Sequence, residues 1–478
     1  MEEISKYTVP TGDPFADIGG YAIEKLSKTF PKKSIMELIA QVTDIYVDNW
    51  GAKINPFFLN SKITQPAFEA EKKKEETLRY FQSLIDKTAK HTIGFCRITG
   101  DKTELYPSGR DNSILSGSGT FVNFNHSFES GIMLSKEAII RFHFVPIACE
   151  LVSGLKIVNK VSSGVAIIHS NDMKLTKFFV QRNVSLNLQN TNANISEGIL
   201  KSKCRSPGTE LFRFIDEALS DKETHSDDKS SLTLYHFTNF GATPEVKIYM
   251  IPSVLFMFYK FTQNPKYKTQ WNRFVSPYYI NKKEHPQAKW NKETNEIESK
   301  VKKELLQIEE KDYQFWSNRI YTKLLNEQSI LNEMKKWCLE EQFDFEIVKK
   351  YQIWIRNMKP ETINKIDEMA DLIFEMNDAD KVKKTIKTLN SAKSGYNLRR
   401  FIVKDVVAKN YEMNPEGNAI ITVEEYADYL FPDTNSWSEM RDVLLIAIYQ
   451  RLHEQKIKVD IEEDESSNVE DSEFEDEN

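Results

Sequence analysis

The uneven distribution of glycine and proline limits the possible folds of this chain more than any other feature. Only two of its 17 glycines, Gly395 and Gly417, follow residue 286. Glycine and proline interrupt helices, so the two parts of the chain should differ in structure. We predict an α+β protein with a mixed α/β domain at 1–285, an all-α helical bundle at 286–455 and a disordered acidic tail at 456–478.

Hydrophobic periodicity places the individual elements. In the first region it predicts helices at Lys32–Trp50 (beginning near Pro31), Ala67–Lys90, Lys174–Val184 and Glu210–Leu219. It predicts strands at Thr120–Phe124, Ala138–Pro146 and Val165–His169, a hairpin of Leu232–Phe240 with Val246–Ile251, and a buried segment at Ser253–Phe261. In the second region the predicted helices are Lys289–Gln307, Asp312–Leu325, Ile330–Phe343, Asp344–Asn357, Thr362–Asn377, Asp380–Asn390, Leu398–Asn410 and Trp437–Glu454.

The net charge of −7 conceals a basic body and an acidic end. Residues 460–478 hold eleven acidic side chains and no basic one, so the first 459 residues carry a net charge of +4. Such a tail is usually a solubilising, disordered end. The alternative is that it screens a basic surface and competes there with nucleic acid.

Several classes of protein are disfavoured. No run approaches the roughly 18 apolar residues that a membrane span needs, and the N-terminus lacks an apolar signal core, so we expect a cytoplasmic protein. The four cysteines lie far apart, which favours free thiols in a reducing compartment and no zinc site of the paired-cysteine kind.

Catalytic signatures are absent from the sequence. It contains no P-loop, no dinucleotide-binding GxGxxG, no GxSxG and no HExxH motif. A histidine such as His143 is expected to be an ordinary hydrogen-bonded strand residue. We therefore predict a protein that is not an enzyme and needs no cofactor.

A loop rich in glycine and serine, residues 94–131, is the first candidate binding surface. Arginine and amide side chains read base edges, and serine can hold phosphate, although an ordinary surface loop remains the alternative. The candidate nucleic-acid-binding residues are Arg110, Asn112, Ser113, Ser116, Ser118, Asn123, Asn125 and His126.

A second candidate surface lies on the C-terminal helices. The stretch from residue 381 to residue 404 holds eight basic residues and no acidic one. Helical geometry places Lys381, Lys384 and Lys387 on one broad face, and Arg399 and Arg400 follow. The pattern favours contact with a phosphate backbone, and the alternative is a merely solvated face.

Three phrases occur together and in order: TGDPFADIGGYAI, GSGTFVNFNHSFESGIMLS and LYHFTNFGATPEVKIYMIPSVLFMFY. On these phrases the chain resembles the large subunit of type I-B-like CRISPR–Cas surveillance complexes (Cascade), a family whose members often carry two CxxC pairs. This sequence departs from that pattern. It has Cys96-Arg97-Ile98-Thr99 at the first position and Leu134-Ser135-Lys136-Glu137 near the second, so we expect no metal there.

The resemblance implies a non-catalytic subunit in antiviral defence. Its expected partners are a CRISPR guide RNA, double-stranded target DNA, the other Cascade backbone subunits and a separate helicase–nuclease. Such a subunit binds the motif beside the protospacer and aids duplex opening. Alternatives are a DNA-processing nuclease or a scaffold protein of a defence system. Met334, Met358 and Met369 could start a separate small subunit, but core methionines are the simpler interpretation.

Overall fold

The structure is a computed structural model that describes residues 4–114, 131–157, 160–193, 198–220, 229–238, 245–301, 304–432 and 436–457. The chain divides into two compact units. The first comprises Met1–Ser253 with Phe315–Ser317, and the second comprises Val254–Gln314 with Asn318–Asn478. Each unit is described by itself.

The N-terminal unit contains six α-helices, counted over its described residues. Two begin with strong caps: Asp13 accepts hydrogen bonds from the amides of Phe15 and Ala16, and Ser34 forms a capping box with Glu37. The helices are α1 (Pro14–Thr29), α2 (Ile35–Ile45), α3 (Ala70–Ile85), α4 (Lys136–His143), α5 (Met173–Asn192) and α6 (Pro207–Ser220). A π-helical turn, Tyr46–Trp50, extends α2.

Two antiparallel sheets complete this unit. The smaller has the order β1-β2-β3, and the larger has the order β4-β5-β6-β7, in which β6 and β7 form the predicted hairpin. Strands β5 and β6 are neighbours although α5 and α6 lie between them in sequence. The strands are β1 (Thr92–Phe95), β2 (Lys102–Ser108), β3 (Ile132–Leu134), β4 (Glu150–Ile157), β5 (Lys160–Ser170), β6 (Leu232–Thr238) and β7 (Glu245–Ile251).

Helices α1 and α4 approach each other closely through a glycine. A Cβ atom added at Gly19 would lie 2.0 Å from the carbonyl oxygen of Arg141, so no larger residue fits. The Arg141 side chain is buried and donates to the carbonyl oxygens of Val9 (2.7 Å) and Lys6 (3.1 Å). These bonds fix the N-terminal segment against α4.

The C-terminal unit is mainly helical. Its longest helix, α18 (Trp437–Glu454), has a nearly continuous buried run at residues 443–449, which is typical of a helix surrounded by others. Helices α7 to α17 are α7 (Ser253–Thr262), α8 (Lys268–Val275), α9 (Glu310–Tyr313), α10 (Arg319–Leu325), α11 (Leu331–Glu340), α12 (Phe345–Lys350), α13 (Pro360–Met376), α14 (Ala379–Asn390), α15 (Gly395–Phe401), α16 (Ala408–Met413) and α17 (Val423–Glu425). Met334, Met358 and Met369 are buried, as expected for core methionines.

The predicted helix Lys289–Gln307 is wrong. This segment forms a three-stranded antiparallel sheet, β9 (Lys289–Asn291), β10 (Glu296–Val301) and β11 (Glu304–Ile308). Asn295 adopts a left-handed conformation (φ 55°) in the turn before β10, a conformation that asparagine tolerates better than most residues. The predicted helix Asp312–Leu325 is likewise interrupted, by the short strand β12 (Ser317–Asn318); the remaining strand is β8 (Tyr279–Ile280).

Two predictions in the N-terminal region also need correction. Ala138–Pro146 is not a strand, because most of it belongs to α4, which begins when Ser135 accepts from the Ala138 amide. The helix predicted at Lys32–Trp50 starts after Ser34 and not near Pro31. The predicted strand Thr120–Phe124 and the acidic tail beyond residue 457 lie outside the described residues.

The predicted fold class is confirmed: short antiparallel sheets and helices form the N-terminal half, and the C-terminal region is helical. Most helix predictions are confirmed within a few residues, and Trp437–Glu454 matches α18 at both ends. No helix in the described part of the chain is both long enough and apolar enough to cross a membrane.

Candidate nucleic-acid interface

The lysines predicted on one helix face lie on α14, and their positions agree with the prediction. Asp378 caps this helix by accepting from the Lys381 amide (2.9 Å). Three apolar residues of α14 are buried on one side, namely Val382, Ile386 and Leu389. On the other side the three predicted lysines are exposed: Lys381, Lys384 and Lys387.

The basic surface continues into α15 and the π-helical segment after it, Ile402–Val407. Exposed basic side chains follow one another here, at Lys393, Arg399, Arg400 and Lys404. Between them Tyr396 is 71% exposed. An exposed aromatic ring among cations can stack on a base.

Most of these cations lack an acidic partner. Lys381 lies 3.7 Å from a carboxylate oxygen of Asp378, and the Arg399 guanidinium lies over the Phe431 ring at 4.9 Å. Within the described residues, no carboxylate lies within ion-pair distance of six of the side chains. They are Lys384, Lys387, Lys393, Arg399, Arg400 and Lys404. We call the exposed basic residues from 381 to 404, together with Tyr396, the basic helical surface.

The predicted residues of the glycine- and serine-rich loop divide into two groups. Arg110 is exposed, and its carbonyl accepts from the Leu59 amide (2.9 Å). Ser113 is buried, so its hydroxyl does not face solvent. Ser116, Ser118, Asn123, Asn125 and His126 lie outside the described residues.

The Asn112 side chain stabilises the local structure through two hydrogen bonds. Its Oδ1 accepts from the Gly109 amide (3.0 Å), which closes the turn after β2, and its Nδ2 donates to the Tyr80 hydroxyl (2.6 Å). One side chain therefore joins the first part of the loop to α3.

A cavity of about 90 Å³ lies beside this turn. Segment 58–63, α3, the turn at Asp111 and Asn112, and α4 each contribute to its wall. Its buried lining is mainly apolar and aromatic, whereas Lys62 and Asp111 at its edge are exposed. The lining comprises Phe58, Ser61, Lys62, Ile63, Thr77, Tyr80, Phe81, Asp111, Asn112, Ile139 and His143.

His143 is a helix residue of this wall and not a strand residue, but it is hydrogen-bonded as expected. Its Nε2 lies 3.0 Å from the Thr43 hydroxyl, and its ring centroid lies 4.6 Å from that of Phe81. Burial lowers the pKa of His143 to about 3. The imidazole is therefore neutral at physiological pH.

The two segments at which the resemblance places CxxC pairs meet at Cys96 and Ser135. Cys96 directly follows β1 and is buried, and its Sγ accepts from the amides of Ser135 (3.3 Å) and Thr99 (3.5 Å). Burial acts to raise the pKa of this thiol, but the hydrogen bonds from Ser135, Thr99 and Ile98 lower it overall. In the part of the chain that the structure describes, no three His, Cys, Asp or Glu side chains are grouped as metal ligands.

The sequence identified the basic helical surface but missed the cavity. A charged face repeats with helical periodicity and is visible in one segment. The cavity walls come from four separate segments, so no local pattern reveals them. The two candidate surfaces belong to different compact units: Arg110 and Asn112 to the first, the basic helical surface to the second.

Residues 334–477 match a family model described as the DevT C-terminal domain. The basic helical surface lies inside this match, which covers less than a third of the chain. No curated protein matches the chain.

Proposed function

We propose that this chain is the non-catalytic large subunit of a CRISPR RNA-guided antiviral surveillance complex. In this role it binds double-stranded target DNA beside the protospacer and aids duplex opening. It also contacts the guide RNA and the other Cascade backbone subunits, and helps to recruit a separate helicase–nuclease. The three ordered phrases in the first 260 residues support the choice of family.

The observation that carries the nucleic-acid-binding part of the proposal is the basic helical surface. Six of its seven exposed cations lack carboxylate partners among the described residues, so a phosphate backbone can approach them without displacing an ion pair. Tyr396 adds a ring beside those charges. A basic helix face that only contacts solvent would be stabilised by acidic residues between the basic ones, because they would reduce the repulsion between like charges. Segment 381–404 contains no acidic residue.

Binding and cleavage should be measured together on the purified full-length chain. We expect salt-dependent binding to a 30-base-pair duplex and no cleavage of plasmid DNA. Cleavage that a single carboxylate substitution abolishes would favour the nuclease alternative. Absence of any duplex binding would leave only the scaffold alternative.

The contribution of the glycine- and serine-rich loop is tested separately. Arg110→Ala is the cleaner variant, because Arg110 is exposed and its side chain has no ion pair within the described residues. Asn112→Ala would also break the turn and the bond to Tyr80. Target binding by the assembled complex should weaken in Arg110→Ala, and unchanged binding would remove Arg110 from the interface.

A further inference from the structure

We infer that the acidic segment of this chain, residues 460–478, docks on the basic helical surface and competes there with nucleic acid. The competitor is the nucleic acid of the proposed function, on which this part of the inference rests. Docking itself depends only on the charges of the chain. The segment lies outside the described residues, whereas the surface that receives it and the helix that leads to it are described.

The surface and the segment are complementary in charge. Residues 460–478 carry eleven acidic side chains and no basic one. The basic helical surface carries seven exposed cations, and six of them have no carboxylate partner among the described residues. Unpaired cations concentrated on one surface attract an anionic chain by the same Coulombic interaction that attracts a phosphate backbone.

Helix α18, which precedes the acidic segment, packs against the helices that carry the basic surface, α14 and α15. The Arg441 guanidinium donates to the carbonyl oxygen of Ala392 (3.0 Å), just after α14. The Tyr449 hydroxyl is hydrogen-bonded to the side chain of Asn390, the last residue of α14. Residue 457, the last one described, lies eight residues after Tyr449, and a helix of that length spans about 12 Å.

The chain leaves α18 at a fixed turn. Lys456 has a left-handed backbone (φ 55°), and the Ile457 amide donates to the Leu452 carbonyl (2.9 Å). The 21 residues from 458 to 478 span about 30 Å at the rise of a helix and about 70 Å at that of a strand. Lys387 and Lys393 lie within one helical turn of Asn390, so either length suffices to reach them.

Other cations at α18 already have acidic partners. The Lys335 amine lies 3.1 Å from a carboxylate oxygen of Asp442. The Arg356 guanidinium pairs with Glu439 (2.8 Å), and Arg451 pairs with two aspartates of α13. An acidic segment that docked there would have to displace these ion pairs. The basic helical surface offers cations that need no such exchange.

Carbodiimide crosslinking of the full-length protein tests the docking directly, because it joins carboxylates to lysine amines without a spacer. Trypsin cleaves after Lys458 and leaves residues 459–478 in one peptide, because they contain no lysine or arginine. We expect this peptide to be joined to the lysines of α14 and to Lys393. Lys282 and Lys283, which are exposed in the same compact unit, should react about fivefold less. Equal reaction at all these lysines, or at none of them, would overturn the inference.

A mixture of unlabelled and ¹⁵N-labelled protein shows which copy supplies the segment. Docking within one chain gives crosslinked peptides that are wholly labelled or wholly unlabelled. Mixed pairs as frequent as uniform pairs would overturn the inference, because the segment would then bind a second copy of the chain.

A full-length variant with every Asp→Asn and every Glu→Gln at residues 460–478 tests the competition. It should bind a 30-base-pair duplex about threefold to tenfold more tightly than the wild type at 0.1 M salt, because a tethered competitor acts at a high effective concentration. The gain should shrink as salt screens the docking.

A second pair of measurements locates the competition on α14. In the Lys384→Gln/Lys387→Gln background the gain should fall to about twofold, because fewer cations remain to hold the segment. In the Lys282→Gln/Lys283→Gln background the gain should persist. Equal gains in the two backgrounds would overturn the inference, because the segment would then act only through the net charge.

Crosslinking also separates this inference from the proposed function, because it needs no nucleic acid. Crosslinks to α14 without any duplex binding would confirm the docking and refute both the competition and the proposed binding of target DNA. Duplex binding by a protein that forms no such crosslinks would overturn the inference and leave the proposed function standing.

Discussion

Neutralising two lysines of the basic helical surface should change the salt dependence of DNA binding by a calculable amount. Lys384 and Lys387 are both exposed, and neither has a carboxylate partner among the described residues. The Lys384→Gln/Lys387→Gln double variant removes two positive charges and keeps residues with good helix propensity. Its free energy of unfolding should stay within about 0.5 kcal/mol of the wild type.

Counterion release sets the expected size of the effect. Each phosphate contact on duplex DNA contributes about −0.9 to the slope of log K against log salt. Loss of two contacts therefore reduces the magnitude of the slope by about 1.8. The affinity should fall about 60-fold at 0.1 M salt, and the difference should shrink to about 20-fold at 0.2 M.

The assay is fluorescence anisotropy with a labelled 30-base-pair duplex across a salt series. Lys282→Gln/Lys283→Gln provides the matched control, because these lysines are exposed, lie in the same compact unit and change the net charge equally. Equal slopes for the wild type and the α14 variant would refute the assignment of this surface. Equal losses of duplex affinity in the α14 variant and in the control would show that only the net charge matters.

Three further predictions concern the N-terminal unit and are measured by urea unfolding. Gly19→Ala places a methyl group against the Arg141 carbonyl and should lower the free energy of unfolding by about 3 kcal/mol. The depressed pKa of buried His143 makes the protein acid-sensitive: stability is full above the unfolded pKa of 6.5 and declines below it, by about 2 kcal/mol at pH 5. His143→Phe should remove that part of the decline. Cys96→Ala leaves the Ser135 amide without its acceptor and should cost about 1–3 kcal/mol, whereas Cys96→Ser should cost less.

Each of these predictions has a contradicting result. A Gly19→Ala protein of wild-type stability would show that α1 and α4 are not in close contact. The same loss of stability between pH 7 and pH 5 in His143→Phe and the wild type would assign the acid sensitivity to other groups. Equal unfolding free energies for Cys96→Ala and Cys96→Ser would mean that the sulfur is not needed as an acceptor.

Helical periodicity predicted the C-terminal helices well because their buried and exposed faces alternate as expected. In α14 the buried Val382, Ile386 and Leu389 oppose the exposed lysines. The same reasoning failed at β10, where Ser299 occupies a buried position beside Ile297. A polar residue on the buried face conceals the two-residue period of a strand, and Asn295 was the available turn signal.

Local capping signals explain the remaining errors. Helix α1 was not predicted, although Asp13 followed by Pro14 is a recognisable helix start. Helix α4 was mistaken for a strand because its Ile and Phe residues have high strand propensity. The serine cap at Ser135 and burial on all sides outweigh that propensity.

The sequence predicted only part of the candidate site, because the rest depends on packing between segments that lie far apart in the chain. A resemblance placed two degenerate CxxC positions in the sequence, and the Cys96–Ser135 hydrogen bond brings them together in space. The cavity depends on tertiary packing of residues from Phe58 to His143. The Thr77 hydroxyl, which has no hydrogen-bond partner among the described residues, has no signature in the sequence.

The central claim is that this chain works with a CRISPR guide RNA. The most direct measurement is affinity purification of the tagged full-length protein from its native cells, with sequencing of the RNA that copurifies. We predict RNA derived from CRISPR repeats, together with partner proteins of the complex. Efficient recovery of the protein without repeat-derived RNA would contradict the claim.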